Sequence, residues 1–157
     1  MLPFLRMLSI EGNEEKRLES FPEEWLLPST LTSLAIKGFP NLKSLDGKGI
    51  QHLTSLEMLG IERCNKLKSL PKQGLPPSLS CLYIADCPLL RKRCQRYKGK
   101  EWPSISHIPA LRSKMSHLMK RSSCHEALAS KFLLFSAIID SGTPALIVQI
   151  IDLKKNN

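Results

Sequence analysis

The sequence predicts an α/β repeat fold: a short solenoid with parallel strands on a concave face and irregular arcs on the convex one. Three observations predict it. One aliphatic spacing recurs four times, a second apolar pair recurs behind the first three copies, and prolines interrupt the segments between. The clearest copy is LEMLGIERCNKLKSLP, in which Leu56, Leu59 and Ile61 are followed by Cys64, Leu67 and Leu70. Neither a 3.6-residue nor a two-residue period yields these offsets throughout. Residues 58–62 suit a short strand whose alternate side chains point inward. Cys64 stands where the chain leaves the strand, and Leu67 and Leu70 fill the core from the returning arc.

The other copies are Leu5, Leu8, Ile10 and Asn13; Leu31, Leu34, Ile36 and Phe39; and Leu79, Leu82, Ile84 and Cys87. The copies start at 5, 31, 56 and 79, steps of 26, 25 and 23 residues, within the ~20–29 of leucine-rich repeats. About four repeats are therefore expected. One alone could not fold, because five buried aliphatics at ~1.5–3 kcal/mol each do not offset ~1–2 kcal/mol of backbone entropy per ordered residue. Behind the strands, Leu42 and Leu45 match Leu67 and Leu70, with Leu18 and Phe21 as counterparts in the first unit. Prolines at 22, 28, 71, 76 and 77 favour extended or irregular arcs over long helices. The expected organisation is repeats over 1–90, a C-terminal cap over 91–109 and a tail over 110–157.

Outward-facing residues of successive strands should form columns. The first reads Met7, Ser33, Met58, Cys81; the second Ser9, Ala35, Gly60, Tyr83; the third Glu11, Lys37, Glu62, Ala85. The third alternates in sign, and the second is small until Tyr83, which predicts a shallow apolar trough. A concave sheet displays such columns on a rigid frame, so these twelve residues are the candidate protein-binding positions. At the strand exits, Asn13 suits the polar turn, Phe39 offers nothing polar, and Cys64 and Cys87 read as structural thiols.

The chain has 157 residues and a formal net charge of +9, the composition of a soluble domain. Arg91, Lys92, Arg93, Arg96, Lys98 and Lys100 form a run with no acid before Glu101. It suits a solvated face, or contact with an acidic protein, a nucleic acid or an anionic membrane. Five cysteines without a C-x-x-C pair argue against a zinc site and a secreted disulfide framework, hence for a reducing, cytoplasmic setting. Pro3, Arg6 and Glu11 interrupt any signal-peptide layout. His52, His107, His117 and His125 and the cysteines show no spacing that a reaction requires. No catalytic, cofactor-binding or metal-ligating residue is therefore expected, and the chain reads as no enzyme.

The stretches LTSLAIKGFPNLKSL, LTSLEMLGIERCNKLKSLP, LPPSLSCLYIADCPLL and the closing RCQRYKGKEWPSISHIP together resemble a known family. It is the C-terminal end of the leucine-rich-repeat domain of plant intracellular immune receptors of the nucleotide-binding, coiled-coil class. The resemblance covers roughly residues 3–109, and its closing elements are Cys94, Gly99, Trp102, Pro103, His107, Ile108 and Pro109. It implies a non-catalytic recognition module of disease resistance. The implied partners are proteins: a pathogen effector, a host guardee or the missing receptor domains. Nucleic acid and membrane are less expected.

Trp102 and Ile105 should cover the open end of the core, with the prolines stopping further strand addition. No phosphate-binding G-x-x-x-x-G-K-[S/T] loop is present, and the chain starts in the lead-in to a repeat. A truncated relative, a gene fragment or a separately expressed C-terminal piece is therefore expected, its uncapped first strand exposing the apolar end of the solenoid. The alternatives are a degenerate fragment without independent function, or a basic-patch binder of nucleic acid or anionic lipid. In the tail, Asp140, Gly142 and Pro144 divide the apolar stretch and disfavour a membrane span. A helix over about Arg112 to Asp140 and a strand-like stretch from Ala145 to Ile151 are expected there.

Overall fold

The computed structural model describes residues 5–12 and 17–113. It is a parallel-strand sheet with few, short helices, consistent with a repeat solenoid. Strands β1 (Met7–Glu11), β3 (Ser33–Lys37), β5 (Met58–Glu62), β6 (Cys81–Ala85) and β7 (Ala110–Ser113) lie side by side in that order. A smaller parallel pair, β2 (Ser20–Phe21) and β4 (Ser44–Leu45), is followed by an isolated bridge from Ser44 to Ser69. Helix α1 (Gly47–Gln51) lies in one arc, while α2 (Pro88–Arg93) and α3 (Trp102–Ile105) stand between β6 and β7.

The register follows the sequence spacing. Leu8, Leu34, Leu59 and Leu82 are partners across four strands, as are Ile10, Ile36, Ile61 and Ile84. All eight are buried, with Leu42, Leu45, Leu67 and Leu70 behind them in one continuous core. Phe21 pairs with Leu45, as the alignment of arcs expects. The backbone repeats too. Arg6, Thr32 and Glu57 carbonyls each accept from two amides at the start of the next strand. At the strand exits the amides of Gly12, Gly38 and Arg63 donate to Lys37, Glu62 and Ala85 carbonyls. The pairings β1–β3, β3–β5 and β5–β6 are thus stitched at both ends, so none of these four strands is independent of its neighbours.

The residue after each of three strands is left-handed: Gly38 at φ 67°, Arg63 at 53° and Asp86 at 50°. L side chains tolerate this poorly, and Gly38 relieves it where the chain is also crowded. A Cβ there would lie 3.2 Å from the Gly12 carbonyl oxygen. Gly38→Ala is expected to destabilise the chain by about 1–2 kcal/mol, read as a lower urea midpoint.

Two expectations are corrected. The prolines do not end the sheet, since Ala110–Ser113 adds a fifth strand directly after Pro109. Proline lacks only its own N–H and its φ suits the approach to a strand; the following Ala110 amide donates to the Ser80 carbonyl. The expected helix from Arg112 is correspondingly strand at its first two residues. Nor is the apolar side of the first strand exposed, because Leu8 and Ile10 turn into the core and are buried. Among the described residues, what β1 leaves at the sheet edge is backbone and the exposed Met7. In the cap, Ile105 and Ile108 are buried and Trp102 packs against the same core. Asn13 and the tail beyond Ser113, including Ala145 to Ile151, lie outside the described residues.

Candidate protein-binding face

Strand pairing assembles the three outward columns as the alignment groups them. Met7, Ser33, Met58 and Cys81 are successive partners; so are Ser9, Ala35, Gly60 and Tyr83, and Glu11, Lys37, Glu62 and Ala85. β7 continues the register, Ala110 pairing with Cys81 and Arg112 with Tyr83.

Accessibility divides these positions. Ser33, Ala35, Met58, Gly60, Cys81 and Ala85 are buried, and Met58 is only 3% exposed. Ala35, Met58, Cys81 and Ala110 form a second small apolar cluster on the outward side. The middle of the expected trough is therefore closed. Met7 and Glu11 are exposed, and Ser9, Lys37, Glu62 and Tyr83 are half-buried. The groups within reach of solvent lie toward β1 and along the strand-exit edge.

That edge carries a charge ladder. Lys37 Nζ lies 3.9 Å from Glu62 Oε2, and Arg63 Nη2 donates to Glu11 Oε1 at 2.7 Å. Arg63 Nε also stands 3.9 Å from Glu62 Oε1. Arg63 is absent from the sequence-derived set because it follows the strand instead of alternating within it. Its left-handed backbone turns it back across the edge, past Gly38, to a residue two repeats away. A signal existed: Gly12, Gly38, Arg63 and Asp86 occupy one repeat position. The exposed Arg63–Glu11 pair contributes ~0–1 kcal/mol, so it serves surface shape and charge more than stability.

The cysteines at the strand exits are structural in geometry. Cys64 and Cys87 are fully buried; the Cys64 amide donates to Cys87 Sγ at 3.4 Å, and Cys87 Sγ lies 3.2 Å from the Ala85 carbonyl oxygen. The hydrogen bond with the Cys64 side-chain thiol, then burial, outweighs the Cys64 amide's opposite effect and pushes the Cys87 thiol well above its ordinary value. Burial, then the Glu101 charge, pushes Cys94 up from 9.0 to about 12. A raised thiol pKa favours the native chain fully below about pH 9, and that contribution is lost as pH rises toward about 12. Stability is thus expected to fall across pH 9–11. The fall should be shallower in Cys94→Ala, by up to ~1.4 kcal/mol per pH unit, in urea titrations at pH 7.5 and 10.5.

Among the described residues, no group of three or more His, Cys, Asp or Glu side chains could hold a metal ion. His52 packs against Trp25 with ring centres 4.2 Å apart and the rings tilted by 57°, and His107 is exposed in the turn after α3. Cys124, His117 and His125 lie outside the described residues. No helix among those described is long and apolar enough to cross a membrane.

Over 86 residues, 55% of its length, the chain is 48% identical to a disease resistance protein of Arabidopsis thaliana. This similarity supports a disease-resistance-like chain. The chain spans about 6% of that relative's length, so the likeness is to one short segment of a much longer protein. No protein-family model matches the chain, and no solved structure matches it.

Proposed function

We infer that residues 5–113 are leucine-rich repeats of a plant disease resistance protein of the nucleotide-binding, coiled-coil class, acting in defence as a non-catalytic protein-recognition segment. The observation that carries this is the in-register column set. A rigid parallel sheet holds Met7, Ser9, Glu11, Lys37, Glu62 and Tyr83 at fixed spacing, which suits reading another protein's surface. The similarity to the Arabidopsis protein supports the defence role, and the closing motif from Cys94 to Pro109 supports the class. The reading places the segment in the cytoplasm and its partner among effectors, host proteins or other parts of a receptor.

Contact is centred on the open side of the sheet: Tyr83 as the aromatic anchor, with Lys37, Glu62 and Arg63 providing charge complementarity. The buried Ser33, Met58 and Cys81 shape the floor without touching a partner. A photo-crosslinking residue at position 83, compared with one at Lys72 on an exposed arc, tests this in plant cell extract. Specific products from position 83 that Lys37→Glu and Arg63→Glu diminish are expected. Equal products from both positions, or none from 83, contradict the reading.

A further inference from the structure

We propose that the cap between β6 and β7 is a peripheral contact for an anionic phospholipid surface. The inference stands on the cap alone and does not depend on protein recognition by the sheet. Arg91, Lys92, Arg96, Lys98 and Lys100 are all exposed. The sixth cation, Arg93, is paired with Glu101 at 3.2 Å, and that carboxylate is largely covered. Between Lys92 and Lys100 the cap therefore presents four exposed cations, Lys92, Arg96, Lys98 and Lys100; of the two acids between β6 and β7, Glu101 is engaged by Arg93 and Asp86 directly follows β6.

Two further features select a bilayer among polyanions. Of the four exposed large hydrophobic residues among those described, Leu89 and Tyr97 both lie in this segment, 43% and 74% exposed. Binding phosphate alone requires no exposed leucine. A headgroup interface takes aliphatic and tyrosine side chains together with lysine and arginine. Tyr97 also sits at φ 64°, so the backbone adopts an unfavourable conformation while the ring stays outside the core. Secondly, that ring is already engaged: Arg96 stands 4.9 Å from its centre and Trp102 5.3 Å. It is poorly placed to stack on a nucleic-acid base, but it can rest at headgroup level beside the cations.

Sedimentation of the full chain with phosphatidylcholine vesicles, with and without about a third phosphatidylserine, tests the contact. Binding to the anionic vesicles alone, weakening with salt, is expected. The triple variant Lys92→Ala, Lys98→Ala, Lys100→Ala should lower it about a hundredfold, at roughly one increment per cation near the surface. Leu89→Ser leaves the charge unchanged and should still weaken it several-fold. All four positions are exposed, and circular dichroism confirms that the variants are folded. No vesicle binding, equal binding to neutral vesicles, or unchanged binding by the triple variant overturns the proposal. Tighter binding to a single-stranded RNA oligonucleotide overturns it in favour of nucleic acid. Full competition by inorganic phosphate with no effect of Leu89→Ser overturns it in favour of a phosphate site.

Discussion

Leu59→Ala is expected to destabilise the chain by about 3–5 kcal/mol and, in a sheet of five short parallel strands, to abolish its cooperative melt. Leu59 is 1% exposed and lies in register between Leu34 and Leu82, so its side chain belongs to three repeats at once. Small domains have only about 5–15 kcal/mol of stability in total. In a repeat protein each unit is held mainly by its neighbours, so a cavity in the central strand uncouples the two halves. Met7→Ala, at the edge of the same sheet, should shift the midpoint by no more than about 0.5–1 kcal/mol. Thermal unfolding followed by circular dichroism distinguishes the two. A mild, still cooperative transition for Leu59→Ala would show that the repeats do not share one core.

Gly49→Ala is expected to act against helix propensity. Gly49 lies inside α1, where replacement by alanine ordinarily gains about 1 kcal/mol. Here the added Cβ would run into the Pro22 carbonyl oxygen, with the carbonyl carbons of Pro22 and Glu23 at 2.8 and 3.1 Å. These are backbone atoms and cannot swing aside as a side-chain tip does. The helix cannot easily shift either, because the Asp46 carboxylate caps it, accepting from the Gly49 amide at 2.8 Å. Overpacking of this kind costs about 1–3 kcal/mol, so a net loss is expected in urea denaturation. A raised midpoint would mean that α1 does not pack on the preceding arc as described.

Register and core were legible because one side-chain spacing repeats. Once Leu34, Leu59 and Leu82 are superposed, the columns and the buried arc leucines follow. The fifth strand was less visible. Ile108 and Leu111 keep the spacing, but Ser113 stands where Ile84 stood, and Pro109 reads as a stop. Only the pairing of Leu82 with Leu111 restores it. The candidate face was legible in direction but not in accessibility. Alternation says that Ala35, Met58 and Cys81 point away from the leucine core, yet they pack with Ala110, a residue contributed by the unforeseen strand. Arg63 escaped detection because its reach to Glu11 depends on a left-handed backbone at a position that alternation does not describe.

Amide hydrogen exchange resolved to single residues tests the five-strand sheet most directly. One cooperative sheet predicts that hydrogen-bonded amides in Met7–Glu11, Ser33–Lys37, Met58–Glu62, Cys81–Ala85 and Ala110–Ser113 exchange slowly and with similar opening free energies, well behind the exposed arcs. Rapid exchange throughout, or protection confined to one or two isolated strands, would contradict it.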